Sequence, residues 1–176
     1  STILTLTLLV SYSTCQAVDW ADFRGPSGNP VHDGTLPLDW DSKDGKNVSW
    51  KASLPGRGVS SPIAVSDLVV VTASAGAKQQ KLFVVAFDQL SGKQRWRRSF
   101  WATGRTYTHP TSSNAAPTPV SDGEYIYAFY SSNDLVCLDL QGNLMWYRGL
   151  AHDYPKAGND IGMASSPAIA GDVVVV

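Results

Sequence analysis

The residues best suited to bind a ligand lie in three loop segments of the sequence. They are Arg57, His109, Asn114, His152 and Asp160. A guanidinium, two imidazoles, an amide and a carboxylate could converge on one ligand, because loops on a rigid scaffold are where binding groups concentrate. We take these five as candidate ligand-binding residues, whose roles depend on the elements that position them.

Motifs of known catalytic chemistry are missing from the sequence. His109 and His152 have no metal-ligand spacing with each other or with His32, and no Cys or His pair has such spacing. There is no nucleophile elbow, and Gly56-Arg57-Gly58 is too short for a phosphate-binding loop. The sequence therefore predicts no catalytic residue and no metal site.

The elements that carry these loops repeat along the chain. Three prolines each stand five residues before an aspartate and precede an apolar run: Pro62, Pro117 and Pro167. Three tryptophans have a similar spacing along the sequence: Trp50, Trp96 and Trp146. Two independent markers thus agree on a period of about fifty residues, which is typical of repeat architectures.

Each period contains short β-branched and aromatic runs separated by Gly, Asp, Asn and Ser, which indicates four strands. Four antiparallel strands at this period predict an all-β fold, a β-propeller of four-stranded blades, whereas a β-sandwich predicts no register between the markers. We expect an orphan fourth strand over residues 47–54, blades over 58–100 and 114–150, and the start of another over 164–176. Closure needs about four to eight blades, so we expect a piece of a longer propeller.

Two segments resemble a known repeat. The run AFDQLSGKQRW, Ala86 to Trp96, resembles the tryptophan-docking motif Ala-Leu-Asp-x-x-Thr-Gly-Lys-x-x-Trp of the pyrroloquinoline-quinone-like (PQQ-like) propeller repeat, and Leu138 to Trp146 is a shorter match without the Lys. The stretch Trp20 to Asn29 resembles the Trp-x-x-Phe-Arg-Gly-Pro opening of secreted bacterial members. The resemblance places residues 47–176 in the BamB-like and quinoprotein alcohol dehydrogenase-like superfamily.

The docking motif also has a physical explanation. A glycine can supply positive φ at the turn before the fourth strand, and an aspartate can accept hydrogen bonds from turn amides. A Trp in the fourth strand can bury on the order of 200 Å² between adjacent sheets. We predict a structural docking role for Trp50, Asp88, Gly92, Trp96, Asp139, Gly142 and Trp146.

The N-terminus predicts export. Ile3 to Val10 is an uncharged apolar run, too short for a bilayer span, and Ala17 offers a cleavage point. We expect a signal peptide over 1–17, an extension over 18–46, and a location in the periplasm, cell envelope or extracellular space. A buried first strand is the alternative, and the residues before Cys15 match a lipid-attachment site poorly. Cys137, inside the run LVCLD, is expected to be a core residue.

The formal net charge of -1 predicts no nucleic-acid affinity. The basic run Lys93 to Arg98 is expected on an outer strand, where cations block edge pairing. Three function classes remain, and the first is a non-catalytic scaffold that binds a protein or a small-molecule or carbohydrate ligand at the channel mouth, without a cofactor. The resemblance also permits a dehydrogenase that holds pyrroloquinoline quinone and calcium. The third class is a carbohydrate-binding module.

Overall fold

The computed structural model describes residues 19–31, 34–158 and 161–176. Within them the chain forms ten strands and one four-residue helix. The strands make two four-stranded antiparallel sheets and one hairpin, which confirms the all-β fold with blade-like sheets. The predicted signal peptide over 1–17, together with His32 and Asp160, lies outside the described residues.

The first sheet is a meander in which each strand pairs with the next. Its strands are β1 (Ile63–Val65), β2 (Leu68–Ala75), β3 (Lys81–Asp88) and β4 (Gln94–Trp101). Val65 pairs with Leu68, which leaves a two-residue turn at Ser66-Asp67. Ser66 has a φ of 55°, as this tight hairpin requires.

The second sheet repeats the order of the first. Its strands are β5 (Val120–Ser121), β6 (Tyr125–Tyr130), β7 (Asp134–Asp139) and β8 (Leu144–Gly149). The helix α1 (Leu150–Asp153) and the hairpin of β9 (Ala168–Ala170) and β10 (Val173–Val175) follow. In both sheets a bulge interrupts the pairing of the third and fourth strands, before the docking turn.

The main core lies between the two sheets. Alternate residues of β3, including Leu82 and Val84, share one buried cluster with Ile126 and Val136 of the second sheet. The other face of β3 buries Phe83, Val85 and Phe87, against which Trp50 packs. Both faces of β3 are therefore covered, which explains why LFVVAF is continuously apolar rather than alternating.

The proline alignment of the second repeat was wrong by two residues. The hairpin turns are Ser66-Asp67, Gly123-Glu124 and Gly171-Asp172, so Pro119, and not Pro117, is equivalent to Pro62 and Pro167. The misleading signal was the motif Val-Ser-Asp, which occurs in both sheets. In the first sheet its Ser and Asp are the two turn residues, whereas in the second sheet the whole motif comes before the turn. There Asp122 directly follows the strand and accepts hydrogen bonds from Glu124 N–H at 2.9 Å and Tyr125 N–H at 2.7 Å.

Residues 47–54 do not form the predicted strand. A strand needs a neighbour to pair with, and none of the described strands lies alongside this segment. Its tryptophan nevertheless packs on the first sheet, with the rings of Trp50 and Phe87 6.1 Å apart.

The N-terminal extension contributes to the sheets. Trp20 forms an isolated bridge to Ala64, with hydrogen bonds of 2.8 and 2.9 Å in the two directions. The next residue, Ala21, accepts a hydrogen bond from Ser121 N–H at 2.9 Å. This short segment therefore ties β1 of the first sheet to β5 of the second.

In the described part of the chain, no helix is long and apolar enough to cross a membrane.

Gly142 provides a test of sheet-to-sheet packing. It has a φ of 78°, and a methyl group added to it would lie 2.6 Å from the Trp96 ring, whereas Gly123, with a φ of 94°, has nothing within 4 Å. We expect Gly123→Ala to lower the free energy of unfolding in urea by about 1–2 kcal/mol from backbone strain alone. Gly142→Ala should cost a further ~1–3 kcal/mol through the displaced indole. Equal losses in the two variants would contradict close packing at Gly142.

Candidate functional site

The first strands of successive sheets lie side by side and are joined by a repeated hydrogen bond. Ser61 N–H donates to Thr118 Oγ1 at 3.0 Å, and Thr118 N–H donates to Ser166 Oγ at 3.0 Å. The three residues directly precede the equivalent prolines of the three repeats. The hydroxyls of Thr118 and Ser166 therefore each accept a bond from the preceding repeat, on the surface that would line a propeller channel.

A cleft of about 490 Å³ lies against these strands. One wall comes from the N-terminal loop, with Asp22, Phe23 and Arg24, and the opposite wall includes Ser61, Thr118 and Ser166. Asp22 Oδ1 accepts the N–H of Arg24 at 2.8 Å, which keeps the loop compact. The N-terminal loop and the entries of three first strands therefore line one cleft.

Arg57 extends the first sheet and bridges two loops. Its N–H and C=O pair with those of Ser74 at 2.8 Å. Its exposed guanidinium donates to Pro110 O at 2.9 Å, in the loop that carries His109. The structure thus brings these two candidate loops together through Arg57, whose guanidinium has a main-chain partner.

Asn114 is buried and its side chain joins the two sheets. Its Nδ2 donates to Gln79 O at 3.2 Å, and its Oδ1 accepts Ser132 N–H at 2.8 Å. Its main-chain N–H donates to Gln79 Oε1 at 3.0 Å, while Ser131 N–H donates to Asn114 O at 2.8 Å. The predicted ligand group is therefore engaged in a sheet-to-sheet contact.

The two candidate histidines are exposed and belong to different segments. His109 Nδ1 lies 2.8 Å from Thr111 Oγ1, and its main-chain N–H donates to Ile161 O at 3.0 Å. His152 lies in α1, where the sequence predicted a loop. Between these segments is a polar cleft of about 270 Å³ whose lining includes Arg105, Tyr107 and Lys156, but none of the described candidates.

The tryptophans of two successive repeats contact equivalent atoms of the following sheet. Trp50 Nε1 donates to Gln89 O at 2.9 Å, and Trp96 Nε1 donates to Leu140 O at 2.8 Å. Each acceptor directly follows the docking aspartate. A methyl group on Gly92 would lie 2.5 Å from the Trp50 ring, so each indole rests on a glycine that has no room for a side chain.

The docking aspartates hold the turns on which these indoles rest. Asp88 Oδ1 accepts the Ser91 hydroxyl at 2.6 Å and its N–H at 2.8 Å, and these bonds lower the pKa of the Asp88 carboxyl. Partial burial opposes ionisation of Asp139, but bonds from Asn143 at 2.7 Å outweigh it and lower the pKa. Trp146 is 41% exposed and lies 6.1 Å from the Tyr127 ring.

Sequence reasoning missed a buried carboxylate between the sheets. Asp134 is fully buried and accepts bonds from the hydroxyls of Thr103, Ser132 and Tyr147 at 2.5, 2.6 and 2.7 Å. Burial and the bond to Asp134 raise the pKa of the Tyr147 hydroxyl above its usual range. Thr103 is 31 residues away, so no local pattern could have revealed this contact.

Cys137 and the acidic side chains form no metal-holding group in the described residues. Cys137 is buried, and burial raises the pKa of its thiol to about 11. Across residues 19–31, 34–158 and 161–176, no three His, Cys, Asp or Glu side chains are close enough to hold a metal ion.

Asn114→Ala tests the sheet-to-sheet contact. It leaves the buried Ser132 N–H and Gln79 O without these partners, so we expect a loss of about 1–3 kcal/mol in the free energy of unfolding. Asn143→Ala, which removes an exposed amide, should cost under about 1 kcal/mol. Urea denaturation measures both, and an undiminished stability of Asn114→Ala would argue against the contact.

Alkylation tests the state of Cys137 in a Cys15→Ser background. A free cysteine has a pKa of about 8.5 and reacts with iodoacetamide at pH 8. Because the Cys137 pKa is raised, its thiol stays protonated at pH 8 and ionises only near pH 11. We expect mass spectrometry to find no label on the native chain and full labelling in urea. Rapid native labelling at pH 8 would contradict this assignment.

The chain is similar to parts of larger solved structures. BamB from Moraxella catarrhalis is 16% identical over 72% of this chain and 32% of its own, with a TM-score of 0.49. A europium-containing methanol dehydrogenase is 15% identical over 89% of this chain and 26% of its own, with a TM-score of 0.55. The second likeness supports the fold, and the chain spans a third or less of either structure. No curated protein matches the chain significantly.

A family model described as outer membrane protein assembly factor BamB matches residues 31–176, which is most of the chain. The matched region contains both four-stranded sheets, the hairpin and both docked tryptophans. The chain therefore belongs to this BamB-like family of PQQ-like repeat β-propellers.

Proposed function

We propose that the protein is a non-catalytic binding scaffold of the cell envelope, whose channel-mouth loops bind a partner protein. The family match supports an envelope role, since its description is that of an outer membrane protein assembly factor. The chain contributes only part of a propeller. The identity of the ligand that the whole protein binds is therefore also a proposal. Export through the predicted signal peptide over 1–17 belongs to it as well.

The observation that carries the proposal is the engagement of polar groups in blade-to-blade contacts. Thr118 Oγ1 accepts the N–H of Ser61, and Asn114 uses both its amide atoms between the sheets. Arg57 donates to a neighbouring loop. A catalytic site needs groups free to act on a substrate. Here the same groups hold a rigid frame, and the exposed loops around it are suited to recognition.

The dehydrogenase alternative requires a calcium site, because calcium takes six to eight oxygen ligands, many from carboxylates. The described residues do not fit that requirement, as they bring no three carboxylate, Cys or His side chains together. Asp88 and Asp139 are committed to their turns. We therefore derive no step through pyrroloquinoline quinone or calcium from the residues of this chain.

Two exposed tyrosines favour a carbohydrate-binding role as the second candidate. Tyr107 is 57% and Tyr154 is 58% exposed, and each borders a cleft beside the loops that follow the sheets. Aromatic rings with a polar tip are suited to contacts with partly apolar, partly hydroxylated ligands such as sugars. In that case the tyrosines would carry the binding energy, and no partner protein would be needed.

Site-specific photo-crosslinking in cells tests the scaffold. A photoreactive residue at His109 or His152 should crosslink to a defined envelope protein, whereas one at Leu90, exposed in the docking turn at the opposite end of the sheets, should not. Equal crosslinking from Leu90 and the two histidine positions would contradict a channel-mouth site.

A dye-linked oxidation assay and thermal melts separate the alternatives. We expect no alcohol- or sugar-dependent dye reduction when pyrroloquinoline quinone and Ca²⁺ are added to the protein. Dye reduction that depends on the added cofactor would contradict the scaffold function and favour the dehydrogenase. A rise in melting temperature with cell-wall oligosaccharides, abolished in the Tyr107→Ala/Tyr154→Ala variant, would favour the carbohydrate module.

A further inference from the structure

The outer strand of the first sheet presents unpaired main-chain groups. β4 is last in the order β1-β2-β3-β4, so only β3 pairs with it. Ala102 N–H donates to Gln80 O at 2.9 Å, and the ladder pairs Leu82 with Phe100 and Val84 with Arg98. From Trp96 to Trp101, even-numbered residues therefore point their N–H and C=O groups at β3, and Arg97 and Ser99 point theirs outward; the bulge ends this alternation before Trp96.

Cations are concentrated along this edge. Lys93, Arg95, Arg97 and Arg98 lie within six residues, in a chain with a net charge of -1. Arg95 is neutralised by Asp88 at 3.0 Å and Asp67 at 3.2 Å, and Arg98 donates to Gly142 O. Within the described residues, neither Lys81 nor Arg97 has an acidic side chain at ion-pair distance.

These two cations share one face of the sheet. Lys81 Nζ lies 5.5 Å and the Arg97 guanidinium 5.9 Å from the centre of the Phe83 ring. Trp101, at the end of the strand, is 65% exposed. The edge therefore combines outward hydrogen-bonding groups, two cations without acidic partners and an apolar side chain.

The equivalent strand of the second sheet shows that edge protection does not require this arrangement. β8 is also an outer strand, and it exposes Leu144 and Met145. Its one cation, Arg148, pairs with Asp153 at 2.7 Å. Both edges face the same risk of unwanted pairing. Protection of an edge strand therefore does not explain the row of cations on β4, because β8 is equally exposed to pairing and lacks such a row.

We propose that β4 binds an extended acidic segment of a partner protein as a fifth strand of the first sheet. Main-chain bonds from the segment meet Arg97 and Ser99, and its carboxylates meet Lys81 and Arg97. The exposed 3.3 Å contact from Arg98 to Arg97 O is exchanged for the new pairing. Pairing ends before Trp101, because Trp101 O already accepts the Tyr147 hydroxyl at 2.9 Å.

A peptide fits this edge better than a nucleic acid does. The outward N–H and C=O groups of β4 have the spacing of a β-strand, which matches another peptide chain and not a phosphate backbone. The acidic balance of the whole chain also opposes non-specific binding to a polyanion. This surface is separate from the channel mouth, so the inference does not depend on the proposed function.

Fluorescence anisotropy of the protein with labelled peptides tests the proposal. The probe is a peptide of about eight alternating Glu and Val residues, a usual strand length, and the control has Lys in place of Glu. We expect the protein to bind the Glu peptide and not the Lys peptide, and its affinity for the Glu peptide to fall as the salt concentration is raised. The Lys81→Glu/Arg97→Glu variant should lose about tenfold in affinity for it and gain binding of the Lys peptide.

Ser99→Pro separates strand addition from charge attraction. It removes an outward N–H but leaves the β3–β4 ladder intact, and an edge strand tolerates proline there. We expect circular dichroism to be unchanged and binding of the Glu peptide to be lost, while Ser99→Ala binds normally.

Three results would overturn the proposal: no binding of the Glu peptide, equal binding by Ser99→Pro, or displacement of the peptide by a thymidine oligonucleotide. If Ser99→Pro does not fold, the Lys81→Glu/Arg97→Glu variant still tests the proposal, because it must gain binding of the Lys peptide.

Discussion

The structure depends on the contact between an indole of one repeat and a glycine turn of the next sheet. A four-stranded sheet with two apolar faces cannot bury both by itself, so it needs neighbours in a defined register. Trp96 meets this need with its ring on Gly142 and its N–H on Leu140 O. The indole is a large apolar group with one directional donor, so the same contact both buries surface and sets the register.

The same constraint limits where function can lie. Because each sheet must be held against the next, hydroxyls and amides near the channel are drawn into the frame: Thr118, Asn114 and the buried Asp134 all join segments of different repeats. The N-terminal segment adds to this frame through Ala64 and Ser121. Both of our proposals therefore concern groups outside this frame, at the loop tips and on an outer strand of the part of the chain that the structure describes.

Most of the fold could be predicted because its signals are contiguous. The turn at Asp88 and Gly92 is made by residues within one hairpin, and the same turn recurs at Asp139 and Gly142 in the next repeat. The alignment at Pro117 was wrong because the motif Val-Ser-Asp occurs in both sheets at different positions relative to the hairpin turn. Residues 47–54 failed for another reason, since a strand is defined by its neighbour and a sequence pattern does not supply one.

The candidate site was less predictable than the fold. Nothing adjacent to Asn114 in the sequence shows that Gln79 and Ser132 satisfy its amide. The sequence by itself determined the strand pattern, the turn chemistry and the family, because alternation, glycine φ and aspartate capping act over a few residues. Only the tertiary structure decided which polar groups are engaged and which remain free, because their partners come from another sheet, up to several tens of residues away.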